Sequence, residues 1–95
     1  MKPTTISGKE IRLMKPVINI NGTSAETLVE ARREVLEHLR AAYEAMRALS
    51  PHGRDYPNGD FTTDRDLHIE RCADLHNLIE EIEAEAFILA GHLDN

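Results

Sequence analysis

The 95-residue chain contains no tryptophan, only four aromatic residues and a single cysteine. Aromatic side chains bury the most surface each, so a core with so few of them would be small. One cysteine excludes an internal disulfide and favours a reducing compartment. No apolar run approaches the roughly 20 residues of a membrane-spanning helix, and the first residues lack the apolar stretch of a signal peptide. We therefore expect one small cytoplasmic domain without membrane contact.

Basic and acidic residues are unevenly distributed along this acidic chain, whose net charge is -6. Residues 1–22 carry four basic side chains and one acidic one, whereas residues 63–95 carry nine acidic side chains and two basic ones. Opposite charge at the two ends predicts that they contact each other, within one subunit or between subunits. The basic residues are few and form no long stripe, which argues against nucleic acid as a partner.

The stretch "NGTSAETL" predicts the start of a first helix, with Thr23 as N-cap and Glu26 completing a capping box. Apolar residues then recur at steps of three and four, which predicts a helix over about 24–49 with one apolar face. That row consists of Leu28, Ala31, Val35, Leu39, Ala42, Met46 and Leu49. A second row beside it consists of Val29, Leu36 and Tyr43.

A second helix is expected to begin near Thr63 and to cover about 64–90, ending at Gly91. Its apolar row consists of Cys72, Leu75, Ile79, Ile82, Ala86, Leu89 and Leu93. Two helices of similar length joined by a loop at 50–62 predict an all-α fold, a long antiparallel hairpin with coiled-coil-like packing over 23–95. Residues 1–22 would form an extended basic arm in front of it.

A single hairpin of this kind would leave apolar surface exposed. The second row (Val29, Leu36 and Tyr43) would face water, and so would Phe87 and Ile88 in the apolar run "AFILA". Burying such residues stabilises a protein by about 25 cal/mol per Å². The sequence therefore predicts a homo-oligomer, a dimer or larger helical bundle, with these five residues at its interface.

The segment "PHGRDYPNGDF" between the helices has two interpretations. As a connector, Pro51 and Gly53 would end one helix, Asn58-Gly59 would turn the chain, and Thr62 or Thr63 would cap the next helix. As a recognition loop, it would bind a partner through His52, Arg54, Asp55 and Tyr56. Arginine and tyrosine are the residues that most often dominate interfaces, and the loop is longer than a hairpin needs.

Two sets of polar residues on the second helix are further candidate sites. Asp66, Glu70, Asp74, Glu81 and Glu85 form an acidic row, which is either a solvated face or a docking surface for the arm or a basic partner. His68, Cys72 and His76 could bind zinc, but the first and last lie about 12 Å apart along a helix, too far for one centre. We expect no metal, and a buried free thiol at Cys72 is the simpler interpretation.

No catalytic motif stands out. A Gly-rich phosphate loop, a nucleophile elbow and a Cys–His pair in a polar setting are all missing from the sequence, so we expect neither enzymatic activity nor a cofactor.

The combination of "INGTSAETL" before one helix and "PHGRDYPNGD" before the next resembles short helical-hairpin proteins encoded by tailed phages and prophages. The resemblance covers about residues 18–80 and brings no functional residues with it. It implies an accessory protein that works inside a bacterial host by binding and inhibiting or modulating a host macromolecule, for example a defence or regulatory protein. Two alternatives stay open, an oligomeric sponge for a small nucleotide signal and a structural or assembly component of a virion.

Overall fold

The computed structural model describes residues 8–93. Two helices, α1 (Ala25–Ala45) and α2 (Phe61–Ala90), pack against each other. Short 3-10 helices follow α1 at Met46–Leu49 and lie within the connecting loop at Gly53–Asp55. Residues 8–93 contain no β-strand. The expected all-helical fold is therefore confirmed for the part of the chain that is described.

The molecule is elongated and its core is thin. Its radius of gyration is 17.9 Å, compared with about 12 Å for a compact chain of this length. The buried apolar residues of the described chain are Ala25, Val29, Leu36, Ile79 and Leu89. None of its helices combines the length and the apolar content needed to cross a membrane.

Helix α1 begins one residue later than the sequence suggests. The N-cap is Ser24 and not Thr23: the Oγ atom of Ser24 accepts a hydrogen bond of 3.1 Å from the backbone N–H of Thr27. The same hydroxyl donates to Oγ1 of Thr27 at 2.9 Å. Thr27, and not Glu26, therefore stands at the third helical position, so the expected capping box does not form.

The buried face of α1 also differs from the predicted one. Val29 and Leu36 are only 1% and 4% exposed, and Tyr43 continues their row half-buried. In the predicted row, by contrast, Val35 and Leu49 are 44% and 65% exposed. Val29, Leu36 and Tyr43 therefore belong to the core of the chain itself. Val29 and Leu36 are thus covered within the chain, contrary to the expectation that they face water, and they leave little surface for the predicted oligomer interface.

Helix α2 begins at Phe61, before the expected start near Thr63, so Thr62 and Thr63 lie inside the helix and do not cap it. At this helix start the ring of Phe61 packs against that of Tyr56, with 6.0 Å between their centroids. Along the predicted apolar row of α2, Ile79 and Leu89 are buried. The helix ends at Ala90, and Gly91 follows it as the C-cap.

Polar contacts between the helices join specific positions. Arg32 of α1 pairs with Glu85 of α2 at 2.9 Å. Arg40 Nη2 lies 2.7 Å from a carboxylate oxygen of Glu83. These bonds fix the two helices against each other where the apolar core is thin.

Candidate functional site: the arm on the second helix and the loop

The segment before α1 lies along α2 and bonds to its carboxylates. The side chain of Lys9 forms a salt bridge with Asp74. The backbone N–H of Arg12 donates to Oε2 of Glu81 at 2.6 Å. The guanidinium of Arg12 adds a longer ion pair to the same carboxylate, with 3.7 Å between Nε and Oε2. Glu81 therefore binds both the backbone and the charge of the arm.

One step further along, the backbone N–H of Met14 donates to Oε2 of Glu85 at 2.8 Å. The bonded donors thus lie two residues apart in the arm, and their acceptors lie four residues apart in α2. Two residues of extended chain span about 6.6 Å, and four residues of α-helix span about 6.0 Å. This agreement allows successive carboxylates on one face of α2 to accept from alternate N–H groups of the arm.

Glu85 connects all three segments of the molecule. One carboxylate oxygen accepts from Met14 of the arm, and the other accepts from Nε of Arg32 at 2.9 Å. The Glu85 side chain is 6% exposed and that of Arg32 is 12% exposed. Arg32 also donates from Nη1 to the carbonyl oxygen of Leu28 at 3.2 Å. A buried carboxylate is tolerated when its charge is paired and its oxygens accept hydrogen bonds, as here.

The predicted acidic row is divided by the structure. Asp74, Glu81 and Glu85 contact the arm. Asp66 instead accepts from its neighbour Arg65 at 3.3 Å, and Glu70 is exposed. A cleft of about 500 Å³ lies between the arm and the part of α2 around Asp74 and Glu81.

In the loop, two of the four candidate binding residues, His52 and Tyr56, make local hydrogen bonds through their side chains. Nδ1 of His52 accepts from the backbone N–H of Arg54 at 3.2 Å, which caps the short 3-10 helix. The hydroxyl of Tyr56 donates to Oδ2 of Asp64 at 2.8 Å. Arg54 and Asp55 lie between these two anchoring residues and are exposed. The loop is therefore bonded internally at His52 and tied to α2 through Tyr56, while Arg54 and Asp55 face solvent.

The bond between Tyr56 and Asp64 also changes the acidity of the phenol. The hydrogen bond to the carboxylate raises the pKa of Tyr56 above its ordinary value of 10.0, because ionisation would remove the donated proton. Desolvation and the negative charges of Asp64 and Asp55 raise this pKa further.

A cavity of about 350 Å³ opens beside the loop. Its walls come from both ends of the connection and from the first turns of α2: Leu49, Pro51, Tyr56, Asp64, Leu67, His68 and Arg71. Arg71 brings one permanent positive charge, and Asp64 opposes it. Binding of a phosphate group requires several converging positive charges. One arginine beside one aspartate therefore does not favour a nucleotide in this cavity.

Of the three residues considered for zinc, Cys72 and His68 contact each other, whereas His76 contacts other residues. Sγ of Cys72 lies 3.6 Å from Nε2 of His68. His76 Nδ1 lies 2.8 Å from a carboxylate oxygen of Glu80, and its ring packs against that of Tyr43. Within residues 8–93, no three potential ligand side chains converge on a position where a metal ion could bind.

Of the other three residues of the predicted oligomer interface, Tyr43 is half-buried, whereas Phe87 is 82% exposed and Ile88 is 56% exposed. Sequence reasoning missed Arg32 and Met14. Arg32 could have been found, because it stands between Val29 and Leu36 in their row, where an arginine requires a partner. Met14 binds Glu85 through its backbone N–H, and the pattern of side chains in the sequence cannot predict such a contact.

Comparison with known proteins gives no relative: the chain matches no protein-family model, no curated protein and no solved structure.

Proposed function

We propose that this chain is a non-enzymatic binding protein, an antiparallel helical hairpin that self-associates and uses the loop between its helices to bind and modulate a macromolecule of a bacterial host. The order of the interhelical contacts supports the antiparallel arrangement. Arg32 in the early part of α1 pairs with Glu85 near the end of α2, whereas Tyr43 near the end of α1 contacts His76 further back in α2. The resemblance to phage-encoded hairpin proteins supplies the cytoplasmic host setting.

The observation that carries the proposal is the fixed geometry of the loop. His52 caps the 3-10 helix and Tyr56 bonds to Asp64, while Arg54 and Asp55 between them are exposed. A loop that is ordered before binding loses less conformational entropy when a partner docks. Arginine is also enriched at the residues that contribute most to protein–protein affinity. Arg54 and Asp55 would therefore make the recognition contacts, and His52 and Tyr56 would hold them in position.

The test is a capture experiment with three immobilised proteins: the full chain, Arg54→Ala and a control, Arg47→Ala. Arg47 is a suitable control because its side chain is 78% exposed and pairs only locally with Glu44. From a host lysate we expect a protein whose recovery falls about tenfold with Arg54→Ala, a loss of about 1.4 kcal/mol. Its recovery should not change with Arg47→Ala.

If no captured protein depends on Arg54, the loop is a connector and the proposal fails. Native mass spectrometry of the freshly purified chain examines the sponge alternative, because a nucleotide retained by the protein would favour that function instead.

A further inference from the structure

Of the eight arginines in the chain, six form ion pairs with carboxylates: Arg12, Arg32, Arg33, Arg40, Arg47 and Arg65. Within residues 8–93, the guanidinium groups of Arg54 and Arg71 form no ion pair. Both lie at the loop end of the molecule, Arg54 in the loop and Arg71 in the wall of the cavity of about 350 Å³ beside it. Acidic side chains outnumber basic ones by 17 to 11, so two arginines left without a carboxylate indicate an anionic group outside the chain.

The cavity combines the guanidinium of Arg71 with apolar walls. Four of its lining residues stand at spacings of three and four on the first turns of α2 and therefore share one face: Asp64, Leu67, His68 and Arg71. Leu49 also lines the cavity and is 65% exposed, and Leu67 is 42% exposed. Asp64 is already engaged, since its Oδ2 accepts from the hydroxyl of Tyr56 at 2.8 Å. The cavity thus offers apolar surface and one permanent cation.

We propose that this cavity receives an apolar side chain of the partner protein together with a neighbouring carboxylate, the side chain against Leu49 and Leu67 and the carboxylate on Arg71. The inference rests on the loop-mediated binding of the proposed function and specifies the chemistry of the partner. A planar guanidinium matches a single carboxylate through two parallel hydrogen bonds. One arginine is therefore sufficient here, although it would not suffice for a phosphate group.

The cavity is continuous with the loop that carries Arg54. Pro51 lines it three residues before Arg54, and Tyr56 lines it two residues after. A partner that contacts the exposed tip of the loop can therefore reach the cavity with an adjoining segment. The volume, about 350 Å³, lies near the lower limit of ligand pockets, which hold about 300–1,000 Å³. It suits one anchoring side chain, and such anchors contribute most of the affinity of protein interfaces.

The first experiment titrates the full chain with the blocked peptide acetyl-Gly-Leu-Glu-Gly-amide and follows backbone amide signals by NMR. We expect the signals of Leu67 and Arg71 to shift. Two matched peptides replace glutamate by glutamine or leucine by alanine, and each should bind at least about tenfold more weakly. A glutamine peptide that binds as tightly as the glutamate peptide would overturn the inference. So would signals of Leu67 and Arg71 that no peptide shifts.

The second experiment assigns the binding to residues of the chain. Arg71→Gln is compared with Arg47→Gln, because Arg47 is an exposed arginine that pairs with Glu44 and does not line the cavity. Leu67→Ala is compared with Ile69→Ala, since Ile69 is 57% exposed on the same helix and is also outside the cavity lining. We expect about tenfold weaker binding of the glutamate peptide with Arg71→Gln and Leu67→Ala only. Equal effects within either pair would contradict the assignment, and circular dichroism verifies that all four variants keep their helices.

These measurements do not involve Arg54, so the inference and the proposed function can fail separately. If the peptide requires Arg71 but no captured protein depends on Arg54, the cavity assignment stands and the proposed role of the loop fails. If an Arg54-dependent protein is captured equally by the full chain and by Arg71→Gln, that partner does not use the cavity. The inference then fails while the proposed function stands.

Discussion

Glu85 of α2 and Arg32 of α1 form an ion pair in which Oε1 lies 2.9 Å from Nε, with side chains only 6% and 12% exposed. The pair lies in a core that contains few apolar residues. Such a pair gains little compared with a well-packed apolar one, but removing one partner leaves an uncompensated buried charge. The dependence of stability on this pair is therefore measured with a variant that removes only one of the two side chains.

Arg32→Ala should lower the free energy of unfolding by about 3 kcal/mol, because Glu85 would remain buried without its cation. Urea denaturation of the full chain measures this loss. Arg33→Ala is the matched control: Arg33 pairs with Glu30 at the surface, with side chains 60% and 63% exposed, and its removal should change stability by less than about 0.5 kcal/mol.

Replacing both partners should recover most of the lost stability. In the double variant Arg32→Met/Glu85→Leu no buried charge remains, and apolar side chains of similar length fill the space. The N–H of Met14 would lose its acceptor, but Met14 is 70% exposed, so water can take that place. A double variant no more stable than Arg32→Ala would mean that the pair itself contributes substantial net stability.

Ser24→Ala should cost about 1 kcal/mol, because the N–H of Thr27 would lose its bond to the serine hydroxyl. Thr23→Ala should be close to neutral. Thermal or chemical unfolding of the two variants side by side distinguishes the N-cap in the structure from the one that the capping-box pattern suggests. A larger loss at Thr23 would contradict the observed helix start.

Removing residues 1–16 should lower the melting temperature, by about 4–8 °C for each kcal/mol that arm binding contributes. The fall should be greater at low salt. At low salt, the attraction of Lys9 for Asp74 and of Arg12 for Glu81 is least screened. The truncated chain also has a more negative net charge than the full chain. Circular dichroism melts at two salt concentrations provide the measurement, and an arm that does not stabilise the fold would give identical curves for both lengths.

Tyr56 should ionise above the ordinary phenol pKa of 10.0, and Asp64→Asn should bring its pKa back toward that value. The neutral phenol is the form favoured by folding. The stability that it contributes is therefore fully present below pH 10, and it is lost as the pH rises through the folded-state pKa. Ultraviolet absorbance titration in a Tyr43→Phe background isolates the signal, and a midpoint unchanged by Asp64→Asn would rule out the carboxylate as the cause.

The sequence could predict the existence of both helices but not the buried face of the first. Two neighbouring apolar rows in α1 both fit a helix, one through Val35 at steps of three and four and one through Leu36 at steps of seven, and the sequence favours the longer row, which is not the buried one. The buried face is the one that packs against α2, where Arg32 meets Glu85, a contact between residues 53 positions apart. Similarly, adjacent hydroxyl residues at 23 and 24 offer two equally suitable N-caps.

The candidate sites were predictable to different degrees. The unusual composition of residues 51–61 marks the loop, but the bonds of His52 and Tyr56 depend on the conformation that the loop adopts. An acidic row on a helix usually faces solvent, and nothing in its spacing distinguishes Glu85, which is buried, from Glu70, which is exposed. The burial of Glu85 depends on a backbone donor 71 positions away.

Because the arm binds through backbone N–H groups at positions 12 and 14, most side chains at these positions are compatible with the same bonds to α2. Proline is the exception, since it has no N–H to donate. The next position in the alternation is already a proline, Pro16. The series of donors must therefore stop at Met14, so the chain itself determines how far along α2 the arm can bind in this way before it turns toward α1.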